Sequence, residues 1–242
     1  MEAWFTEQKA KFYVNFIKDN RWEYLWDGLC VTLQVTFFAL ILGVVLGMIV
    51  AAIRSTYDKT ADTTHKGFGR FIFKIFNLIC KLYLTVIRGT PVVVQLMIMF
   101  YIIFKSSNDK VFIAIIAFGI NSGAYVAEII RSGIMSIDHG QFEAGRSLGF
   151  NYVQTMIHII LPQAFKNVLP ALANEFIVLL KETSVAGYIA LQDLTKGGDI
   201  IRGRTYDAFM PLIAVALIYL VMVIFFTWLV GILERRLRKN ER

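Results

Sequence analysis

Several chemistries are missing from this chain. No Gly-x-x-x-x-Gly-Lys-Ser/Thr phosphate loop occurs in its 242 residues, so nucleotide is not expected to bind by that route. There is no His-Glu-x-x-His zinc pattern and no Gly-x-Ser-x-Gly nucleophile turn. The three histidines, His65, His139 and His158, are scattered and read as solvated side chains rather than ligands. Cysteine is scarce too. Cys30 lies in one apolar run and Cys80 beyond its far end, across a loop, so a bridge between them is not expected. The first residues lack a basic segment, an apolar stretch and a small-residue cleavage site in that order, so insertion into a membrane is expected to use the first span itself.

What is present is apolar. A hydrophobic content of 57% and a mean hydropathy of +0.58 are too high for an ordinary soluble domain and place the chain in the membrane class. The net charge of +7 belongs to basic residues beside apolar runs, which is what membrane orientation demands and argues against nucleic acid as a partner.

Residues 1–27 mix charge with Trp4, Phe5, Phe12, Trp22 and Trp26, a pattern suited to an extracytoplasmic interfacial segment. Residues 29–53 carry no charge over 25 positions, enough at 1.5 Å per residue to cross a layer of roughly 30 Å. Gly43 and Gly47, four apart, predict close helix packing within the chain. A hydrophilic loop over 54–66 follows. Arg70, Lys74, Asn77 and Lys81 then form one polar stripe on an interfacial helix over 68–84, an anchor on lipid headgroups. Further spans are expected at about 84–104, 111–130, 168–190 and 208–233. Pro91 opens a helix in the first of these, with Arg88 snorkelling to the cytoplasmic side, and Asn121, Ser122 and Gly123 interrupt the second. A loop is expected over 192–206. The predicted fold is thus an all-α membrane protein of five transmembrane helices, with a transmembrane domain over 28–234 and a basic tail over 235–242.

Five spans put the termini on opposite faces. With the N-terminus outside, 15 of the 25 Lys and Arg fall on inner segments, so charge alone predicts a multi-pass membrane protein with its C-terminus in the cytoplasm.

On that same inner face lies a polar island, residues 143–162. Gly149 divides it into two short helical pieces, since glycine tolerates the left-handed backbone that ends a helix. Asn151 and Gln154 are spaced as a capping box, and Val153, Met156, Ile157 and Ile160 mark one apolar face before Pro162 limits continuation. Glu143, Ala144 and Gly145, then Gly149, then Ile159, Leu161 and Pro162 resemble the EAA loop of permease subunits in bacterial ATP-binding-cassette importers. Glycine stands at 145 where a second alanine is usual. The resemblance covers about residues 28–234 and implies the type I importer permease fold. It makes 137–165 the cytoplasmic coupling loop, with Glu143, Ala144, Gly145, Arg146, Gly149, Leu161 and Pro162 docking on a separate ATPase. It also implies a second permease subunit, identical or not, an extracytoplasmic substrate-binding protein, and ATP and Mg held by the ATPase, with no cofactor in this chain. Arg88-Gly89-Thr90-Pro91, AYVAEIIRSGI over 124–134 and NEFIVLLKETSV over 174–185 resemble the polar amino acid branch.

The fourth predicted span carries Asn174, Glu175, Lys181, Glu182, Thr183 and Ser184, and charges at that depth must look toward water or one another. Two uses stay open: a substrate path or an ionic brace. If Glu175 or Glu182 faces a cavity, the lining favours a cationic amino acid. Glu128 is a functional candidate by its depth, yet Arg131 three residues on suits a structural ion pair. A self-contained secondary transporter and an intramembrane enzyme are the rival readings. The first commonly shows paired internal repeats, which five spans do not divide into, and the second needs a nucleophile or metal cluster that is not found.

Overall fold

Long apolar runs without water to satisfy their amides must close their hydrogen bonds internally, and helices do so. The computed structural model, which describes residues 1–60 and 68–239, has no strand among the described residues. Helix α1 (Glu2–Phe12) continues through a π-turn at Tyr13–Ile17 and ends where Asp19 and Asn20 take left-handed φ of 57° and 51°. Asp and Asn bear that conformation better than most residues.

Helix α2 (Trp22–Thr60) then runs 39 residues and overruns the expected loop at 54–66. No glycine or proline lies between Arg54 and Thr60, and charged side chains can be solvated from a helix as well as from a loop. The rest of that predicted loop, including His65, lies outside the described residues, as do residues 240–242 of the tail.

Helix α3 (Phe68–Gly89) is longer than the predicted interfacial helix. Its exposed Phe71, Ile75, Phe76, Leu78, Ile79 and Leu82 flank Lys74 and Lys81, so its amphipathic character holds. The predicted span at 84–104 is not one continuous helix. It divides between α3 and α4 (Val92–Ile98, with a π-turn at Met99–Ile103), because Pro91 disfavours helical backbone at Thr90 and itself stays outside α4.

Helix α5 (Lys110–Met135) passes uninterrupted through Asn121, Ser122 and Gly123, all buried. Two short helices, α6 (His139–Ser147) and α7 (Tyr152–Thr155), lead through a π-turn at Met156–Ile160 into α8 (Leu161–Glu182). Pro162 does not end that segment. The Leu161 amide reaches back five residues to the Met156 carbonyl, and this wider turn precedes the proline's missing donor. A 3-10 turn at Thr183–Ile189 follows and closes with Ala190 left-handed at φ 54°, its carbonyl accepting from Lys110 Nζ at 3.1 Å.

The expected loop at 192–206 is largely helix α9 (Leu194–Thr205). Asp193 caps it by accepting from the Thr195 and Lys196 amides at 3.0 and 3.2 Å, and Leu194, Gly197, Gly198 and Ile201 form its buried face. Helix α10 (Phe209–Lys239) carries the last span into the tail. Four helical segments, Trp22–Asp58, Lys110–Met135, Tyr152–Ile189 and Phe209–Leu237, are long and apolar enough to cross a membrane, and a fifth span results if α3 and α4 form one broken crossing.

The chain packs as two units, and α2, α5, α8 and α10 contribute a segment to each. In the first (Met1–Ala39, Val92–Phe118, Ile177–Trp228), α9 lies against the start of α2: the Leu194 amide donates to Thr32 Oγ1 at 3.1 Å. Asn15 donates to Asp207 at 2.8 Å and accepts from Thr205 Oγ1 at 2.8 Å, so its buried amide is satisfied.

In the second unit (Leu40–Pro91, Gly119–Phe176, Leu229–Arg242), α2 and α5 approach closely. A methyl group on Gly47 would stand 2.5 Å from the Val126 side chain, so the predicted use of Gly43 and Gly47 in packing within the chain is what the structure has. Helix α3 is tied to α5 by Tyr83, whose hydroxyl donates to the Ile120 carbonyl at 2.6 Å. Both cysteines are free, Cys80 buried and Cys30 exposed.

Candidate functional site

The turn between α6 and α7 is built by short-range chemistry. Asp138 opens α6 by accepting from the Gly140 amide at 2.6 Å. At the far end Gly149 is left-handed at φ +80°, the Phe150 amide donates to the Gly145 carbonyl at 3.0 Å, and the Gly149 amide donates to the Arg146 carbonyl at 2.9 Å. These two bonds form a Schellman closure, which satisfies carbonyls the helix end leaves open. Asn151 then starts α7 with the expected capping box, both bonds at 2.9 Å.

This geometry sets which side chains face out. Glu143, Ala144, Arg146, Leu148, Val153, Ile157 and Leu161 are exposed, whereas Gly145 and Thr155 are buried. Leu148 is 71% exposed, a high value for a leucine fixed in a closed turn. Glu143 Oε1 lies 3.3 Å from Nδ1 of His139, one turn back on the same exposed face. The predicted apolar face of Val153, Met156, Ile157 and Ile160 is split. Ile160 joins Ile134 and Ala164 in a core with Met156 and Ile159 against it, while Val153 and Ile157 face outward, because the π-turn shifts the register within one turn. The outer surface of the loop therefore combines a carboxylate, a guanidinium and the aliphatic side chains of Leu148, Val153, Ile157 and Leu161, the composition of a polar docking patch with an apolar centre.

On α5, Glu128 accepts from Arg131 Nε at 3.2 Å and from its Nη2, and Arg88 Nη1 stands 4.0 Å away while its guanidinium lies over the Tyr125 ring at 5.7 Å. The ion pair expected from the spacing is formed. Glu175 on α8 is buried and accepts from Ser122 Oγ at 2.9 Å, a partner that sequence reading missed because serine in an apolar helix carries no label of its own. Thr183 is buried and donates to the Leu180 carbonyl at 2.8 Å. Asn174 and Lys181 are exposed, Glu182 is half-buried, and Ser184 lines a cavity of about 390 Å³ with Tyr188, Thr195, Lys196, Asp199 and Arg202.

At that cavity Asp199 is held below the usual carboxylate range by Lys196 and Arg202. Asp193 is pushed up to about 6 by burial, against the pull of the Thr195 and Lys196 amides. No cluster of three or more potential metal ligands occurs among the described residues.

Comparison with known proteins agrees with this architecture. The chain belongs to the family of binding-protein-dependent transport system inner membrane components, which matches residues 43–239. It is 41% identical over 172 residues to the arginine transport system permease protein ArtQ of Bacillus subtilis, covering 70% of this chain and 78% of that one. It is also 39% identical over 171 residues to a putative glutamine transport system permease protein GlnP of Rickettsia typhi, covering 69% and 78%. A solved structure described as an amino acid ABC transporter with histidines shares 41% identity at a TM-score of 0.78 over 88% of this chain and 94% of the other. The MetNI methionine ABC transporter, at 18% identity and TM-score 0.74 over 91% and 99%, shows the same fold. The fold is that of type I importer permeases, and this chain is a membrane-spanning permease subunit of an ABC importer.

Proposed function

We propose that the subunit forms the path for a polar amino acid, and that the α6–α7 turn couples this path to ATP hydrolysis in a separate subunit. The observation that carries the coupling role is the Schellman turn followed at once by a capping box, which fixes Glu143, Arg146, Leu148, Val153 and Ile157 as one outward surface. A loop so closed pays little ordering entropy on docking. ATP and Mg²⁺ would be held by the partner ATPase. A second permease copy or paralogue and an extracytoplasmic substrate-binding protein complete the assembly. The charge distribution supports an external N-terminus and a cytoplasmic C-terminus.

For the path, Asn174, Lys181, Glu182 and Ser184 are the residues available to a zwitterion, because Glu175 and Thr183 are engaged internally and Glu128 is paired with Arg131. A half-buried Glu182 beside the path attracts a cationic side chain. The names of the relatives, which include arginine and glutamine permeases, support an amino acid and leave its charge to experiment.

Reconstitution of the permease with its ATPase and binding protein in liposomes tests the reading. Amino acid uptake that requires internal ATP is expected. Uptake by the permease alone, driven by an ion gradient, would overturn it in favour of a secondary transporter.

A further inference from the structure

Beyond the translocation path, the second unit holds a cavity of about 600 Å³ lined by the end of α2, the middle and end of α3 and the end of α5. Its charged lining is Arg54, Lys81, Arg88 and Arg131 against a single carboxylate, Glu128. Arg131 is consumed by Glu128 and by the sulfur of Met135, to which its Nη1 donates at 2.8 Å. Arg88 is only a distant partner of the same carboxylate, at 4.0 Å. Arg54 acts on Glu128 only through space and, like Lys81, makes no direct ion pair among the described residues, and the buried Nε of Arg54 has no hydrogen-bond acceptor.

A buried donor without an acceptor is costly, and an anion that enters a cavity with surplus positive charge offsets that cost. Guanidinium groups suit a tetrahedral oxyanion with several acceptors. Beside the opening, Leu82 and Val86 on α3 are exposed apolar side chains, 62% and 48% accessible, which suit acyl chains rather than water. Basic pockets between helices on the cytoplasmic side are also where anionic headgroups are bound.

We propose that this cavity is a phosphate-binding site for the headgroup of an anionic phospholipid, with Arg54, Lys81 and Arg88 holding the phosphate and the outer face of α3 carrying the chains. Glu128 keeps Arg131 out of the way and lowers the net positive charge, so the site accepts a monoanionic phosphodiester and disfavours a headgroup that brings its own cation beside the phosphate. Free phosphate shares the same chemistry without the apolar contacts.

The test uses the permease assembled with its ATPase, stripped of lipid, with phosphatidylglycerol, phosphatidylcholine and inorganic phosphate each added as a probe. Native mass spectrometry counts bound lipid, and thermal shift reports each ligand. Retention of phosphatidylglycerol over phosphatidylcholine is expected, falling about tenfold in Lys81→Gln/Arg88→Gln. Lys105→Gln removes one exposed charge outside the cavity and should lose less than about twofold. Arg54→Lys, which keeps the charge but deletes the Nε donor, should fall between, with an unchanged elution volume as evidence of folding. Stabilisation by inorganic phosphate alone, lost in the double variant, would assign the site to the free ion. Equal retention of the two lipids with no effect of phosphate, or an equal loss in Lys105→Gln, would overturn the proposal.

Discussion

Gly145 and Thr155 face each other so closely that a methyl group on Gly145 would stand 2.6 Å from Cγ2 and 2.7 Å from Oγ1 of the threonine. The two residues belong to α6 and α7, so this contact locks the halves of the α6–α7 turn together. It also gives a reason for glycine where importer permeases usually have alanine: the β-branched Thr155 occupies the space, and its χ1 has little freedom within a helix. Gly145→Ala is therefore expected to destabilise the turn by about 1–3 kcal/mol. Thr155→Ala in the same chain should restore most of the loss, which a double-mutant cycle on thermal unfolding and on ATPase binding measures. Additive effects would show that the contact does not couple the two helices.

Gly149 presents a separate requirement, because its φ of +80° is left-handed. Gly149→Val places a β-branched side chain there at a cost of about 1–2 kcal/mol, concentrated at the docking surface. Substrate-stimulated ATP hydrolysis in reconstituted vesicles should be lost while the permease still inserts. Full stimulation in the variant would remove the coupling assignment.

Ser122 and Asn174 should separate bracing from transport. Ser122→Ala removes the 2.9 Å hydrogen bond to buried Glu175 and should lower stability by about 1.5–3 kcal/mol, visible as a lower Tm in detergent. Asn174→Ala, at an exposed position of α8, should leave stability within about 0.5 kcal/mol of wild type and raise the apparent KM for uptake. The reverse pattern would move the substrate path away from Asn174.

Asp193 predicts a pH dependence. Its carboxyl titrates near 6 in the folded chain against an ordinary value of 3.8, so the folded state binds this proton more tightly. Its contribution is fully present below about pH 3.8 and is lost as pH rises through 6, a loss on the order of 3 kcal/mol by neutral pH. Asp199, held low by Lys196 and Arg202, acts with the opposite sign below the ordinary carboxylate range. Unfolding measured from pH 5 to 7.5 should show stability falling with pH, and Asp193→Asn, which keeps an acceptor for the cap, should flatten that slope. An unchanged slope would show that burial does not raise this group.

Cysteine labelling of the termini checks orientation. A membrane-impermeant reagent added to sealed right-side-out vesicles should label a cysteine near residue 3 and spare one near residue 240. Labelling of both would rule out an odd number of spans.

Much of this was legible in the chain itself. Unbroken apolar runs such as 29–53 and 208–233 can only be helices in a bilayer. The α6–α7 turn was readable to single residues, since Gly149, Asn151 and Gln154 act through backbone bonds that span at most five positions. So was the Glu128–Arg131 pair, one helical turn apart.

The sequence by itself determined those features because their causes are local. Tertiary structure decided the rest. Helix α9 was hidden by its paired glycines, and only the packing of Gly197 against the Tyr24 carbonyl, 2.2 Å from where a methyl group would sit, shows why they are there. Pro162 looked like a stop until the π-turn before it carried the chain on. Glu175 as a brace depends on Ser122, and Gly145 on Thr155. The cationic cavity depends on Arg54, Lys81 and Arg88 being gathered from two helices. A hydrogen bond or a steric fit between distant positions has no period and no spacing, so nothing in the linear order of residues announces it.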